Sequence, residues 1–270
     1  MPDPAQLQVM SADGTPVAAW RSGAGPSLIL VHGTTADHTR WSRVTAGFEA
    51  RLTVYAMDRR GRGGSGDAGT YSLAQEGEDI VAVAREADPP VSLLGHSYGA
   101  LCAIEAALRM PDLHRLVLYE APLPLGYEIV APEVRAKLTG LLERNELEEA
   151  LVVFFREVVH VPEPQLRVMQ ENPVWAARVA AAPTIAREIR LESEYRLNLD
   201  RLATLTVPTL LLLGGDSSRY FREATSQLHA ALPNSRVHEI AGQQHIAMDM
   251  VPDEFVEIVT SFVCARPSPA

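Results

Sequence analysis

Five residues, Gly95-His96-Ser97-Tyr98-Gly99, set a serine between glycines in the order G-x-S-x-G. They follow the apolar stretch Val91-Ser-Leu-Leu94 and lead into Ala100–Leu108, a segment of helical composition. At a sharp turn from strand to helix, glycines two residues before and two after the serine let the two elements approach closely. The hydroxyl is then pushed out above the sheet, with a helix N-terminus behind it to favour negative charge. The motif alone recurs by chance; the strand before it and the helix after it are the context that gives it meaning. Ser97 is the candidate nucleophile.

A nucleophilic serine needs a base, a group that holds the base, and donors for the oxyanion that develops on attack. His32-Gly33-Thr34-Thr35 follows the apolar run Ser27–Val31, at the strand end where open α/β sheets place their ligands. Gly33 keeps the backbone thin there, so the N–H of Thr34 is expected to pair with that of Tyr98, just after the nucleophile, as an oxyanion hole. His32 is expected to hydrogen-bond within its own loop. His245 lies in a loop after the last apolar strand, whereas His96 sits on the nucleophile turn and His238 within a strand. His245 is the candidate base.

The elements that must position these groups are legible as short apolar runs separated by helical segments. Strands are expected at Leu7–Met10, Val17–Arg21, Ser27–Val31, Leu52–Met57, from Val91, Arg115–Tyr119, Thr209–Leu213 and Arg236–Ile240, the first two joined through Ala12-Asp13-Gly14. Helices are expected at Trp41–Phe48, Leu73–Glu86, Ala100–Leu108, Phe221–Leu232 and Phe255–Cys264. Strand and helix alternate as far as Pro122, the signature of a mostly parallel sheet clad on both faces. From Pro124 to about Leu202 the pattern is helical and broken by prolines (Val134–Leu142, Glu146–Val159, Gln165–Gln170, Val174–Ala181, Ile185–Leu197). Such an insertion between strands of one sheet is expected to cap the site, giving a core of 1–122 and 203–270 and a cap of 123–202.

Gly61, Gly63 and Gly66 match G-x-G-x-x-G after a strand. A dinucleotide fingerprint belongs to the first βα unit and opens directly into a helix. Here three strands come first and loop continues through Thr70, so a mobile glycine-rich loop beside a pocket is expected instead.

With the nucleophile turn, the His-Gly loop, the helical insertion and His245 in this order, the chain resembles the α/β-hydrolase superfamily over nearly its whole length. The resemblance implies an eight-stranded, mostly parallel sheet with helices on both faces and a helical cap inserted after strand 6. It also implies a serine–acid–histidine triad. The superfamily's usual acid stands three residues past the glycine that ends strand 7; counted from Gly214 that position is Ser217, and Asp216 is one residue early. A second known location, the end of strand 6, holds Glu120. Glu120 is preferred and Asp216 kept as the alternative, a helix N-cap being its other role. The segment Pro173-Val-Trp175-Ala-Ala-Arg178, with Asn172 before it, is similar to the cap of zearalenone-type lactonases. Those enzymes carry a glutamate after strand 6 and a cap tryptophan on the substrate. That likeness implies a pocket role for Trp175; Phe154, Phe155 and Leu151 are available to line the cap, with Gly33 and Ile246 beside the site.

These residues point to a cofactor-free serine hydrolase acting on a hydrophobic ester or lactone, with no metal site. Carbon–carbon bond hydrolysis, thioester hydrolysis and perhydrolysis use the same constellation, and a ligand-sensing protein with little turnover could keep it. Serine at position 97 argues against the dehalogenase and epoxide-hydrolase branches, which need aspartate there. Hydrophobic residues make up 47% of the chain and charged ones 21%, as in globular proteins, and the net charge of −10 disfavours nucleic acid and anionic membranes as partners. No apolar run reaches membrane-spanning length and the N-terminus lacks secretory-signal character, so a cytoplasmic location is expected. Cys102 is expected as a small buried residue. The apolar terminal helix leaves a homodimer open.

Overall fold

A computed structural model describes residues 4–126, 130–161, 163–171, 173–195 and 198–265. Asn172, the expected helix end at Leu197 and the tail beyond Ala265 lie outside the described residues.

Eight strands form one sheet: β1 (Ala5–Met10), β2 (Pro16–Gly23), β3 (Ser27–Val31), β4 (Thr53–Met57), β5 (Val91–His96), β6 (Arg115–Tyr119), β7 (Thr209–Gly214) and β8 (Ser235–Ile240). Their spatial order is β1-β2-β4-β3-β5-β6-β7-β8. The pairs β1–β2 and β2–β4 are antiparallel, and all the others are parallel. Every residue of β3 to β7 is buried, as expected of strands covered on both faces, while β8 at the edge is mostly exposed. Alternate side chains serve opposite cores. Ile29 and Val31 pack with α2 (Leu73–Arg85) and α3 (Tyr98–Ala107), whereas Leu28 and Leu30 pack with Val44 and Phe48 of α1 (Ser42–Glu49) and with the C-terminal helix Pro252–Val263. Cys102 is buried within the first of these cores and forms no disulfide.

Between β6 and β7 the chain leaves the sheet. The insertion comprises α4 (Pro132–Glu143), α5 (Leu147–Val153), α6 (Glu163–Gln170), α7 (Trp175–Ala181), α8 (Ile185–Glu194) and α9 (Leu199–Leu202). It has an apolar cluster of its own, built from Leu138, Leu151, Leu166, Ile185 and their neighbours. The single helix expected over Glu146–Val159 is α5 followed by a π-helical turn, Phe154–Val158. The extra residue in that turn shifts side-chain facing relative to a continuous α-helix.

The stretch Asp58–Asp67 departs from its expected character. Arg59, Arg60 and Arg62 are buried, and each guanidinium is paired with an acid. Arg59 bonds Glu76 of α2 at 2.5 Å and Glu188 of α8 at 2.6 Å; Arg62 also donates to Glu188. Arg60 forks onto both oxygens of Asp79, each at 2.7 Å. Arg187 reaches back from α8 to Asp67 at 2.6 Å. The loop is a charged seam between sheet and insertion, and it forms no wall of the cavity described below. Among the described residues, no helix is long and apolar enough to cross a membrane.

Candidate active site

Ser97 sits at φ 54°, ψ −130°, between the end of β5 and the first residue of α3. This left-handed conformation is strained for any residue but glycine and persists only where the surroundings impose it. The flanking glycines supply that constraint. A Cβ on Gly95 would lie 2.5 Å from the Gly99 carbonyl oxygen, and one on Gly99 would lie 2.3 Å from that of Val31. Close packing of helix on strand therefore requires both. Gly33 is equally confined, since a Cβ there would stand 2.9 Å from the Ser97 Cβ. The loop carrying Thr34 thus passes directly over the serine. Tyr98 opens α3, where an amide has no acceptor one turn back.

Glu120 follows β6 at φ 47° with its side chain buried. Its Oε2 lies 2.6 Å from His245 Nδ1. Its Oε1 accepts the Gly214 N–H at 2.8 Å and the Ser217 hydroxyl. Both oxygens are thereby occupied, which offsets the desolvation of a buried carboxylate. Ser217, standing where the superfamily's usual acid would be, helps to hold the carboxylate that comes from the neighbouring strand. Asp216 is exposed, and its backbone N–H bonds the Gln243 carbonyl. The residue before α10 (Arg219–Ala231) is Ser218, so Asp216 does not cap that helix.

The loop bearing His245 is fixed on three sides. The Tyr119 hydroxyl donates to the Gln244 carbonyl and accepts the Ala247 N–H at 3.0 Å. His96 Nε2 bonds the His245 carbonyl at 2.8 Å. Phe221 of α10 stacks on the His245 ring, 4.6 Å between centroids and 16° from parallel. With Nδ1 engaged by Glu120, the Nε2 edge of His245 is the one left for chemistry. Burial, with the nearby His245 ring adding to it, holds the His96 imidazole well below the usual histidine range, consistent with a neutral structural ring. His32 is also neutral by burial: its Nδ1 bonds the Gly33 carbonyl at 2.8 Å and its Nε2 accepts the Arg59 N–H at 3.1 Å.

Ser97, His245, Gly33, Thr34 and Ile246 line one cavity of about 430 Å³, roofed by the insertion through Phe154 and Phe155. Trp175 and Leu151 do not reach it. Trp175 is buried against Phe155, 6.0 Å between ring centroids, and its Nε1 donates to Glu148 at 2.9 Å; Leu151 is wholly buried in the insertion's core. Val159, Val161, Met169 and Arg178, which the sequence did not mark as pocket residues, complete the roof. The opposite wall carries Arg40, whose guanidinium pairs with Asp249 at 2.7 Å.

Asp37, His38 and Asp58 form the one group among the described residues with metal-ligand proximity. Asp58 already accepts the His38 N–H at 2.7 Å and the Gly64 N–H at 2.7 Å, and Asp37 caps Thr39 at 2.9 Å. These contacts account for the grouping without an ion.

A family model described as the alpha/beta hydrolase family matches residues 28–258. A crystal structure of an alpha/beta hydrolase from Sphaerobacter thermophilus superposes with a TM-score of 0.84 at 30% identity, covering 95% of this chain and 99% of that one. An esterase from Rhodococcus sp. superposes with a TM-score of 0.75 at 25% identity, covering 96% and 98%. A pimeloyl-[acyl-carrier protein] methyl ester esterase from Aeromonas hydrophila is 28% identical over 258 residues, 92% of this chain and 99% of its own.

Proposed function

The chain belongs to the α/β hydrolase family, and from that premise we propose that it is a cofactor-free serine hydrolase cleaving a carboxylic ester or lactone of a hydrophobic small molecule. The observation that carries the reading is the 2.6 Å contact between Glu120 and His245 Nδ1, made at the edge of the cavity that Ser97 faces from a strained turn. In this reading His245 Nε2 takes the Ser97 proton as the hydroxyl oxygen attacks the carbonyl carbon. The N–H groups of Thr34 and Tyr98 stabilise the tetrahedral oxyanion. His245 then returns the proton to the departing alkoxide, leaving an acyl group on Ser97. Water deprotonated by His245 attacks that acyl-enzyme, and the carboxylic acid leaves as Ser97 regains its proton. Glu120 fixes the imidazole tautomer and stabilises the imidazolium. The esterase names of two relatives support ester over other acyl substrates. The apolar roof around Phe154 and Phe155 suits a hydrophobic acyl or lactone body.

The test is mass spectrometry of the intact protein after a fluorophosphonate probe. Stoichiometric labelling that is abolished by Ser97→Ala and strongly slowed by Glu120→Gln is expected. Labelling that persists in Ser97→Ala would remove the proposed nucleophile.

A further inference from the structure

The cavity holds a cation that the reaction above does not use. Arg178 projects from α7 into the roof, half-buried, with its guanidinium carbon 5.5 Å above the Phe155 ring. Its hydrogen-bond contact among the described residues is a long one, 3.4 Å from Nη1 to the Thr35 hydroxyl, and it has no carboxylate partner among them. The other charges of the cavity differ. Arg40 is neutralised by Asp249, Arg43 is exposed at the rim, and Asp37 is engaged in capping Thr39. Burial, reinforced by the Arg40 charge, outweighs the more distant carboxylates of Asp249 and Asp37 and pushes the Arg178 guanidinium down to about 10. The buried arginines of the seam, Arg59, Arg60 and Arg62, are by contrast matched by acids. An arginine offers five N–H donors in a planar fork suited to a carboxylate. At Arg178, which lines the cavity, Thr35 is the hydrogen-bond partner of that fork among the described residues.

We propose that Arg178 recognises a carboxylate on the substrate, so that the preferred substrates are esters bearing a free acid at the end of an apolar limb, held by the cap while the ester lies at Ser97. The inference deepens the hydrolase reading and depends on it for the ester; the anion site itself does not. Thr35, which touches Arg178, adjoins Thr34 of the oxyanion loop, so the carboxylate and the ester are drawn into the same cavity. The apolar surface of Phe155, Val159 and Val161 lines the same cavity, suited to methylene groups. In this protein of net charge −10, the cavity wall carries more arginines than acids, which favours entry of an anion against the field of the whole.

Two matched pairs of substrates test the proposal. Monomethyl adipate against methyl hexanoate places the acid on the acyl limb; 6-acetoxyhexanoate against hexyl acetate places it on the alcohol limb. Wild type is expected to prefer the acid of one pair in kcat/KM by about tenfold or more, mainly through KM. That ratio is expected to collapse in Arg178→Met and to recover in part in Arg178→Lys; the pair that shows it locates the carboxylate. No preference in either pair, or a ratio that survives Arg178→Met, overturns the inference. Calorimetry with the same two acids on Ser97→Ala, and on Ser97→Ala combined with Arg178→Met, reads the anion site without turnover. Binding lost with Arg178, in a protein that hydrolyses no ester, would leave the anion site standing and remove the hydrolase reading. Turnover with neither binding nor preference would do the reverse.

Discussion

Two buried carboxylates tie distant parts of this chain together, and they do so in opposite ways. Glu120 meets neutral donors, Gly214 N–H and the Ser217 hydroxyl, plus one ring of adjustable charge, His245. Glu188 meets two permanent cations, Arg59 and Arg62. Burial alone would raise the Glu188 carboxyl, yet those two guanidiniums prevail and hold it below the usual carboxylate range. The first arrangement leaves a partner whose charge can change during a reaction, with one ring edge open to the cavity. The second is closed and has no proton to exchange near neutrality. A buried carboxylate is thus no guide to chemistry by itself; the titratability and exposure of its partner are.

Substitutions can sharpen that contrast. The largest effect is expected at Ser97, where alanine should lower ester turnover by on the order of 10⁶-fold while leaving the thermal melt nearly unchanged. Glu120→Gln should follow, with kcat reduced by about 10³ to 10⁴-fold, because the amide cannot stabilise the imidazolium. Glu188→Gln should act on the other axis. Removing one side of a buried ion cluster is expected to cost roughly 3 kcal/mol of stability in denaturant unfolding, with a smaller change in kcat than at Glu120. The pH dependence carries the same distinction. The folded-state pKa of Glu188 is depressed, so its contribution is complete above the usual carboxylate range and is lost as pH falls through the folded value. The acid limb of the stability profile should therefore flatten in Glu188→Gln, and a limb of unchanged slope would place the acid sensitivity elsewhere. Ser217→Ala, which removes one of the two neutral donors to Glu120, should lower kcat/KM about tenfold. Asp216→Asn should stay within about twofold of wild type, as an exposed residue outside the hydrogen-bonded set; a large loss there would reopen the choice of acid.

How much of this was legible in the sequence depends on the distance over which each signal acts. The turn at Ser97 is local: glycine spacing, strand and helix all lie within twenty residues, and the structure gives both glycines a steric reason. The parallel sheet was legible because strands buried on both faces are near-continuous apolar runs, as in Leu28–Val31 of β3 and Leu210–Leu213 of β7. The cap was harder. Leu151, Phe154 and Phe155 are all apolar, and the facing that sends two of them to the cavity and one to the core depends on a π-helical turn with no sequence signature. Trp175 was misplaced for a related reason, since a buried tryptophan satisfied by Glu148 and a tryptophan on a substrate have the same residue type. The seam at Arg59 and Arg62 looked like a mobile glycine-rich loop because its partner, Glu188, lies far along the chain in the insertion. Arg178 belongs to the Pro-Val-Trp segment, yet only the fold shows that no carboxylate among the described residues forms an ion pair with it.

The residues beside the proposed triad have a consequence for its tolerance to movement. His96, next to Ser97, grips the His245 carbonyl, and Tyr119, next to Glu120, grips the backbone on either side of His245. Each strand that delivers a working group therefore also delivers, one residue earlier, a strut to the loop that must stay in step with it. When either strand shifts with thermal motion, the histidine is carried along, and the displacement is shared by both ends of the contact. The alignment of Ser97, His245 and Glu120 is in this sense self-referenced: it depends on differences between neighbouring residues rather than on the absolute rigidity of the sheet.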